Sequence, residues 1–83
     1  MNKSRIVEAC RESFLKAKLI NERYLNKEET NSAYYRVSAE LGLNNVFPDV
    51  VDAEFDKLSR GKGFIPCSVF IVLVENLNKE HIS

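Results

Sequence analysis

The 83-residue sequence is poor in the residues that announce chemistry or mark a class. It holds one histidine, two cysteines, two prolines, three glycines and no tryptophan. Two cysteines exclude a disulfide-dense scaffold, and with a single histidine they exclude a zinc finger, which takes four ligands. There is no surplus of either charge: 12 Lys and Arg stand against 12 Asp and Glu. That balance argues against an electrostatic nucleic-acid binder with a basic surface. Long apolar runs are also missing. The longest, Val69 to Val74, is far short of the roughly 20 residues a membrane helix needs.

The remaining absences concern compartment and catalysis. Cys10 and Cys67 lie far apart and in no CxxC spacing. Each has apolar neighbours, so both read as reduced thiols acting as small hydrophobes. The stretch MNKSRIVEACRES lacks the apolar h-region of a signal peptide, and the expectation is a soluble, cytoplasmic protein without a membrane partner. His81 lies in a segment expected to fray, whereas a nucleophile–histidine pair must be held rigidly. Cys67, beside Ser68 near a helix start, has a setting that lowers a thiol pKa. It reads more simply as a small residue filling the first turn. Gly61-Lys62-Gly63 is too short for a phosphate-binding loop and reads as a flexible connector. The expectation is therefore not an enzyme, with no cofactor and no metal.

What is present is ordinary for a globular protein: 45% apolar and 29% charged residues. The length allows one small helical domain over residues 1–83. Such a short chain buries only about 60–65% of its unfolded surface, so a partner or second copy can add much of its stability.

The punctuation divides the chain into four pieces. From about Ser4 to Leu25, with Ser4 as N-cap, Val7, Cys10, Phe14, Ala17, Ile20 and Tyr24 recur at three- and four-residue steps, a helical stripe. From Lys27 to Leu41, Tyr34, Val37 and Leu41 form a second stripe. Asn26 and Glu29 have capping-box spacing there, and Gly42 followed by Leu43 suits a left-handed helix end. From about Pro48 to Arg60, Phe47, Val51, Phe55 and Leu58 are the apolar stripe, with Pro48 in the first turn. Acids come early and Lys57 and Arg60 late, as the helix dipole favours. Gly61 is the stop.

The fourth piece, residues 65–79, is ambiguous between helix and strand. Val69-Phe70-Ile71-Val72-Leu73-Val74 favours a strand by propensity, but a strand needs a partner, and the candidate Val46 to Val51 is interrupted by Pro48. Pro66 followed by a Gly- and Pro-free stretch reads as a helix. Its six consecutive apolar residues would cover every face, placing the helix centrally or in a homo-oligomer interface. The fold class is therefore all-α, a compact bundle of about four helices.

Charge is segregated along the chain. Residues 1–27 carry seven bases and three acids, 28–56 one base and seven acids, and 57–83 four bases and two acids. Asp49, Asp52 and Asp56 are spaced i, i+3, i+7, which puts them on one helical face. Three carboxylates can hold a hard cation, but acids early in a helix are expected from the dipole alone. The face reads either as solvated surface or as a contact for a partner with a basic surface. Tyr34 and Tyr35 are adjacent and cannot both face one core. One is expected on the surface or in a partner, where an apolar ring with a polar tip is favoured.

Ser38-Ala39-Glu40-Leu41-Gly42-Leu43 resembles the turn of a helix-turn-helix, which would carry the following helix into the major groove. That helix begins Pro48-Asp49-Val50-Val51-Asp52, whose carboxylates oppose phosphate, and it offers few base-reading side chains before Lys57.

Ala53-Glu54-Phe55, Lys57-Leu58 and Ile65-Pro66-Cys67-Ser68-Val69-Phe70 resemble the C-terminal part of the Hha/YmoA family of enterobacterial haemolysin-expression modulators. That family shows Asp-His-Arg-x-Ala-Glu-Leu, then Lys-Leu, then Ile-Pro-x-Ser-Val-Trp. Here Val50-Val51 replaces His-Arg, Phe70 replaces Trp, and the match covers about a quarter of the chain. The resemblance implies an all-helical protein without DNA specificity of its own that binds the H-NS nucleoid protein, with Asp49 as a partner-contacting residue.

The functional expectation is a non-enzymatic regulator or inhibitor of bacterial or phage type. It would act by protein–protein binding through Asp49, Asp52, Asp56, Tyr34 and Tyr35. The alternative is a helix-turn-helix transcriptional regulator.

Overall fold

The computed structural model describes residues 2–18 and 23–80. Four helices lie within them: α1 (Lys3–Ala17), α2 (Lys27–Leu41), α3 (Pro48–Ser59) and α4 (Cys67–Leu77). A two-residue strand, β1 (Tyr24–Leu25), pairs antiparallel with β2 (Ile65–Pro66), Tyr24 opposite Pro66 and Leu25 opposite Ile65. The chain is an all-α bundle clasped by one short ladder.

The first helix is shorter than its periodicity suggests. Asn2 rather than Ser4 is the N-cap, its Oδ1 accepting from the Ser4 N–H at 2.8 Å. The helix closes at Ala17, where the Lys18 N–H donates to the Phe14 carbonyl. Tyr24 and Leu25, expected at its end, are strand. Pairing with β2 satisfies their backbone and buries Leu25 against Ile65. The intervening helical expectation over residues 19–22 lies outside the described residues, as does His81. Ile6, Ala9, Cys10, Ser13, Phe14 and Ala17 are the buried face of α1. Cys10, Phe14 and Ala17 of the expected stripe are among them; Val7 is only half-buried, and the face widens instead through Ile6, Ala9 and Ser13.

The second helix follows its caps. Asn26 and Glu29 form a reciprocal capping box, Asn26 Oδ1 accepting from the Glu29 N–H at 2.8 Å and Glu29 Oε1 from the Asn26 N–H at 2.9 Å. Gly42 takes φ +66°, which a side chain would disfavour, and the Leu43 N–H then turns back to the Ser38 carbonyl at 3.1 Å.

In α3, Val51, Phe55 and Ser59 face inward and Leu58 is half-buried. Phe47, expected on that stripe, is instead 80% exposed. It is the N-cap, with extended backbone (φ −68°, ψ 152°), so its side chain leaves the helical face. The helix ends at Arg60 in the left-handed region (φ +54°), one residue before the expected stop at Gly61.

The ambiguous segment divides: two residues join the ladder and the next eleven form α4. As a helix, the apolar run satisfies its own backbone without a long partner strand. Phe70, Leu73 and Val74 are buried at helical spacing, Val69 and Ile71 are partly covered, and Val72 is 41% exposed. The helix thus lies against the bundle on one side and is not enclosed all round. Lys3, near the start of α1, pairs with Glu75, near the end of α4, at 3.5 Å, so these two helices run antiparallel. No helix among the described residues is long and apolar enough to cross a membrane.

Candidate functional site

The expected contact residues separate once their positions are fixed. Tyr34 is fully buried and offers no surface to a partner, because α2 turns it into the core. Its hydroxyl donates to the Asn44 carbonyl at 2.9 Å and accepts from Asn78 Nδ2 at 3.2 Å. Tyr35 is half-buried, and its hydroxyl donates to the Val46 carbonyl at 2.9 Å. The two rings meet edge to face, 6.0 Å apart. Adjacent tyrosines therefore both hold the segment between α2 and α3.

The aspartates are not one free face. Asp52 is half-buried and accepts from Asn31 Nδ2 at 2.6 Å. Asp56 is exposed but pairs with Lys27 at 2.8 Å, a contact that raises the Lys27 pKa. Both carboxylates are thus tied to α2. Asp49 stands exposed, beside the exposed Phe47 and Val50. Among the described residues no group of three or more His, Cys, Asp or Glu is placed to hold a metal ion.

The thiols are likewise part of the packing. Both are free. Burial pushes the Cys10 thiol up to about 12, helped by neighbouring Cys67 and Glu75. Burial also raises Cys67, with Arg11 opposing it. The helix start at Cys67 does not yield a lowered pKa, because covering the thiol disfavours its charged form more than nearby charge favours it.

A different region presents open apolar surface. After α3 ends at Arg60, Gly61 and Gly63 both adopt φ +80° and swing the chain back toward β1. Phe64 is placed by this turn against Tyr24, ring centroids 4.6 Å apart. The ladder then aligns Tyr24 with Pro66, and α4 contributes Val69 and Val72. The result is an open groove of about 700 Å³. Tyr24, Leu58, Phe64, Val69 and Val72 supply apolar lining; Lys57, Arg60 and Lys62 supply charge, and among the described residues no carboxylate lines it. Phe64 and Val72 are 40% and 41% exposed. Paired with three exposed cations, this surface suits an acidic segment with apolar anchors.

The chain matches no family model, no curated protein and no solved structure. The groove's own chemistry is therefore the basis for a functional reading. Its residues were partly visible in the sequence as Lys57-x-x-Arg60-x-Lys62 followed by Phe64. Read linearly, Lys57 and Arg60 serve the helix dipole and Lys62 sits in a connector. Their convergence with Tyr24 and Val72 depends on the β1–β2 pairing.

Proposed function

We propose that this protein is a small non-enzymatic regulator or inhibitor that binds an acidic, apolar-anchored segment of another protein in the groove between β1, β2, the end of α3 and α4. The observation that carries this reading is the joining of exposed Phe64 and Val72 to Lys57, Arg60 and Lys62 in one groove, with no carboxylate among its described lining residues. Burying the apolar side chains supplies affinity, and the cations select charge and orientation. The partner's sign is thus opposite to the one expected from Asp49, Asp52 and Asp56, two of which are tied to α2.

A second reading follows from the Hha/YmoA resemblance, which puts the partner contact at Asp49. That residue is exposed next to Phe47 and Val50, as such a contact requires. The helix-turn-helix alternative has weaker support. Six residues, 42–47, separate α2 from α3, against the usual three or four.

Affinity capture from bacterial lysate with the wild type, Lys57→Glu/Lys62→Glu and Asp49→Lys separates these readings. The groove reading expects the double variant to lose the captured protein and Asp49→Lys to keep it. The reverse pattern moves the contact to Asp49, and retention by both variants overturns the two readings together.

A further inference from the structure

The molecule carries a second exposed apolar feature whose chemistry complements the groove. Phe47 is 80% exposed and Val50 41% exposed, flanking the exposed Asp49 at the N-terminal end of α3. The Phe47 backbone is held in place from behind, since the Tyr35 hydroxyl donates to the Val46 carbonyl at 2.9 Å. A large aromatic on a fixed backbone loses little freedom when it is buried, which favours its use as an anchor.

The groove lies at the other end of the same helix. Pro48 and Ser59 are separated by eleven steps of 1.5 Å, about 16 Å. Charge changes sign along that distance. Asp49, Asp52, Glu54 and Asp56 occupy the first nine residues of α3, whereas Lys57, Arg60 and Lys62 follow. A plug and a receptor at opposite ends of one helix cannot close on each other within a chain. They can meet between chains, the acidic plug of one copy entering the basic, apolar groove of the next.

We infer that the groove is occupied, in the free protein at high concentration, by Phe47 and Val50 of a second copy, with Asp49 facing Lys57 and Lys62. This rests on the reading of the groove as a docking site, and it names an occupant that requires no other protein. The contact is heterologous, because plug and groove are different surfaces, and so it propagates head to tail instead of closing on a two-fold axis. It uses few residues and belongs with weak interfaces below about 1,200 Å².

Sedimentation of the full chain from about 10 µM to about 1 mM, a range suited to weak contacts of that size, tests the inference. The wild type is expected to rise above the 9.5 kDa monomer with increasing concentration, continuing beyond a dimer. Phe47→Asp alone and Lys57→Glu/Lys62→Glu alone are each expected to remain monomeric. All three positions are exposed, and unchanged circular dichroism of each variant establishes that it is folded. An equimolar mixture of the two variants is expected to form a dimer that stops there, because one variant keeps the groove and the other keeps the plug. A wild type that stays monomeric at 1 mM overturns the inference. So does association that survives Phe47→Asp, or variants that fail to complement on mixing. None of these results touches the binding of a foreign partner, which the capture experiment judges separately: a wild type that is monomeric yet captures a partner through Lys57 and Lys62 retains the proposed function.

Discussion

The Tyr34 hydroxyl accepts a hydrogen bond from Asn78 Nδ2 at 3.2 Å, joining the middle of α2 to the residue that caps α4. Asn78 is fully buried. Its Nδ2 also donates to the Val74 carbonyl at 2.8 Å, and its Oδ1 accepts from the Asn44 N–H at 2.8 Å. Asn44 Nδ2 in turn donates to the Leu77 carbonyl at 2.9 Å. A buried amide is tolerated only when its polar atoms are satisfied, and these bonds satisfy both ends of Asn78. Asn78→Ala removes the acceptor of the Asn44 N–H and should cost about 2–3 kcal/mol, and Tyr34→Phe about 1–1.5 kcal/mol. The double variant should lose less than the sum of the two, by about 1 kcal/mol. Urea unfolding of the four proteins measures this. Additive losses would mean that the network is not coupled.

The three helix-α3 aspartates should respond differently to substitution. Asp52→Ala removes a charge-assisted bond from the half-buried Asn31 and should cost about 1–2 kcal/mol. Asp56→Ala removes a pair that is solvated at both ends; its effect should be smaller and should vanish in high salt. Asp49→Lys reverses the first-turn charge of α3 and should cost about 0.3–1 kcal/mol through the helix dipole, a loss that salt screens. Melting curves at low and high salt check all three, and equal losses at the three sites would contradict the assignment.

Alkaline pH should destabilise the fold through its buried ionisable groups. Cys10 has an ordinary pKa of 9.0 that burial raises to about 12. Above pH 9 the unfolded chain releases this proton while the folded chain keeps it. Stability is therefore intact below about pH 9 and falls as pH rises toward 12, with a limiting slope of about 1.4 kcal/mol per pH unit. Tyr34, also raised by burial, adds to the loss above its ordinary value of 10.0. Urea midpoints between pH 7 and 11 should show the decline, and Cys10→Ala should flatten its first part. At pH 8, a thiol reagent should modify the half-exposed Cys67 before the buried Cys10.

Duplex DNA provides the test between function classes. With micromolar protein in low salt, the groove reading expects no mobility shift. A shift that disappears steeply with added salt would mark phosphate contacts and move Lys57, Arg60 and Lys62 from a protein interface to a nucleic-acid one.

Local rules were enough for the helices whose ends are chemically marked. Asn26, Glu29 and Gly42 specify where α2 begins and ends, because capping satisfies backbone groups within a few residues. Pro48 does the same for the start of α3. The inner face of α4 was not marked in this way: six consecutive apolar residues distinguish no side, and only packing against the bundle selects Phe70, Leu73 and Val74. The boundary of α1 was not legible in this way. Helical periodicity continued through Tyr24, and only the distant Ile65 and Pro66 make strand the better conformation there.

By itself, then, the sequence determined an all-α chain, the caps of its second helix, the proline start of its third, and a middle segment rich in acids. Tertiary structure alone decided which polar groups remain available. It buried Tyr34, tied Asp52 and Asp56 to α2, and exposed Phe47. It also brought Tyr24 beside Phe64 and Val72 under three cations. The physical reason is range: capping and helical periodicity act within about one or two turns, whereas the availability of a side chain depends on groups that only the folded chain brings within reach.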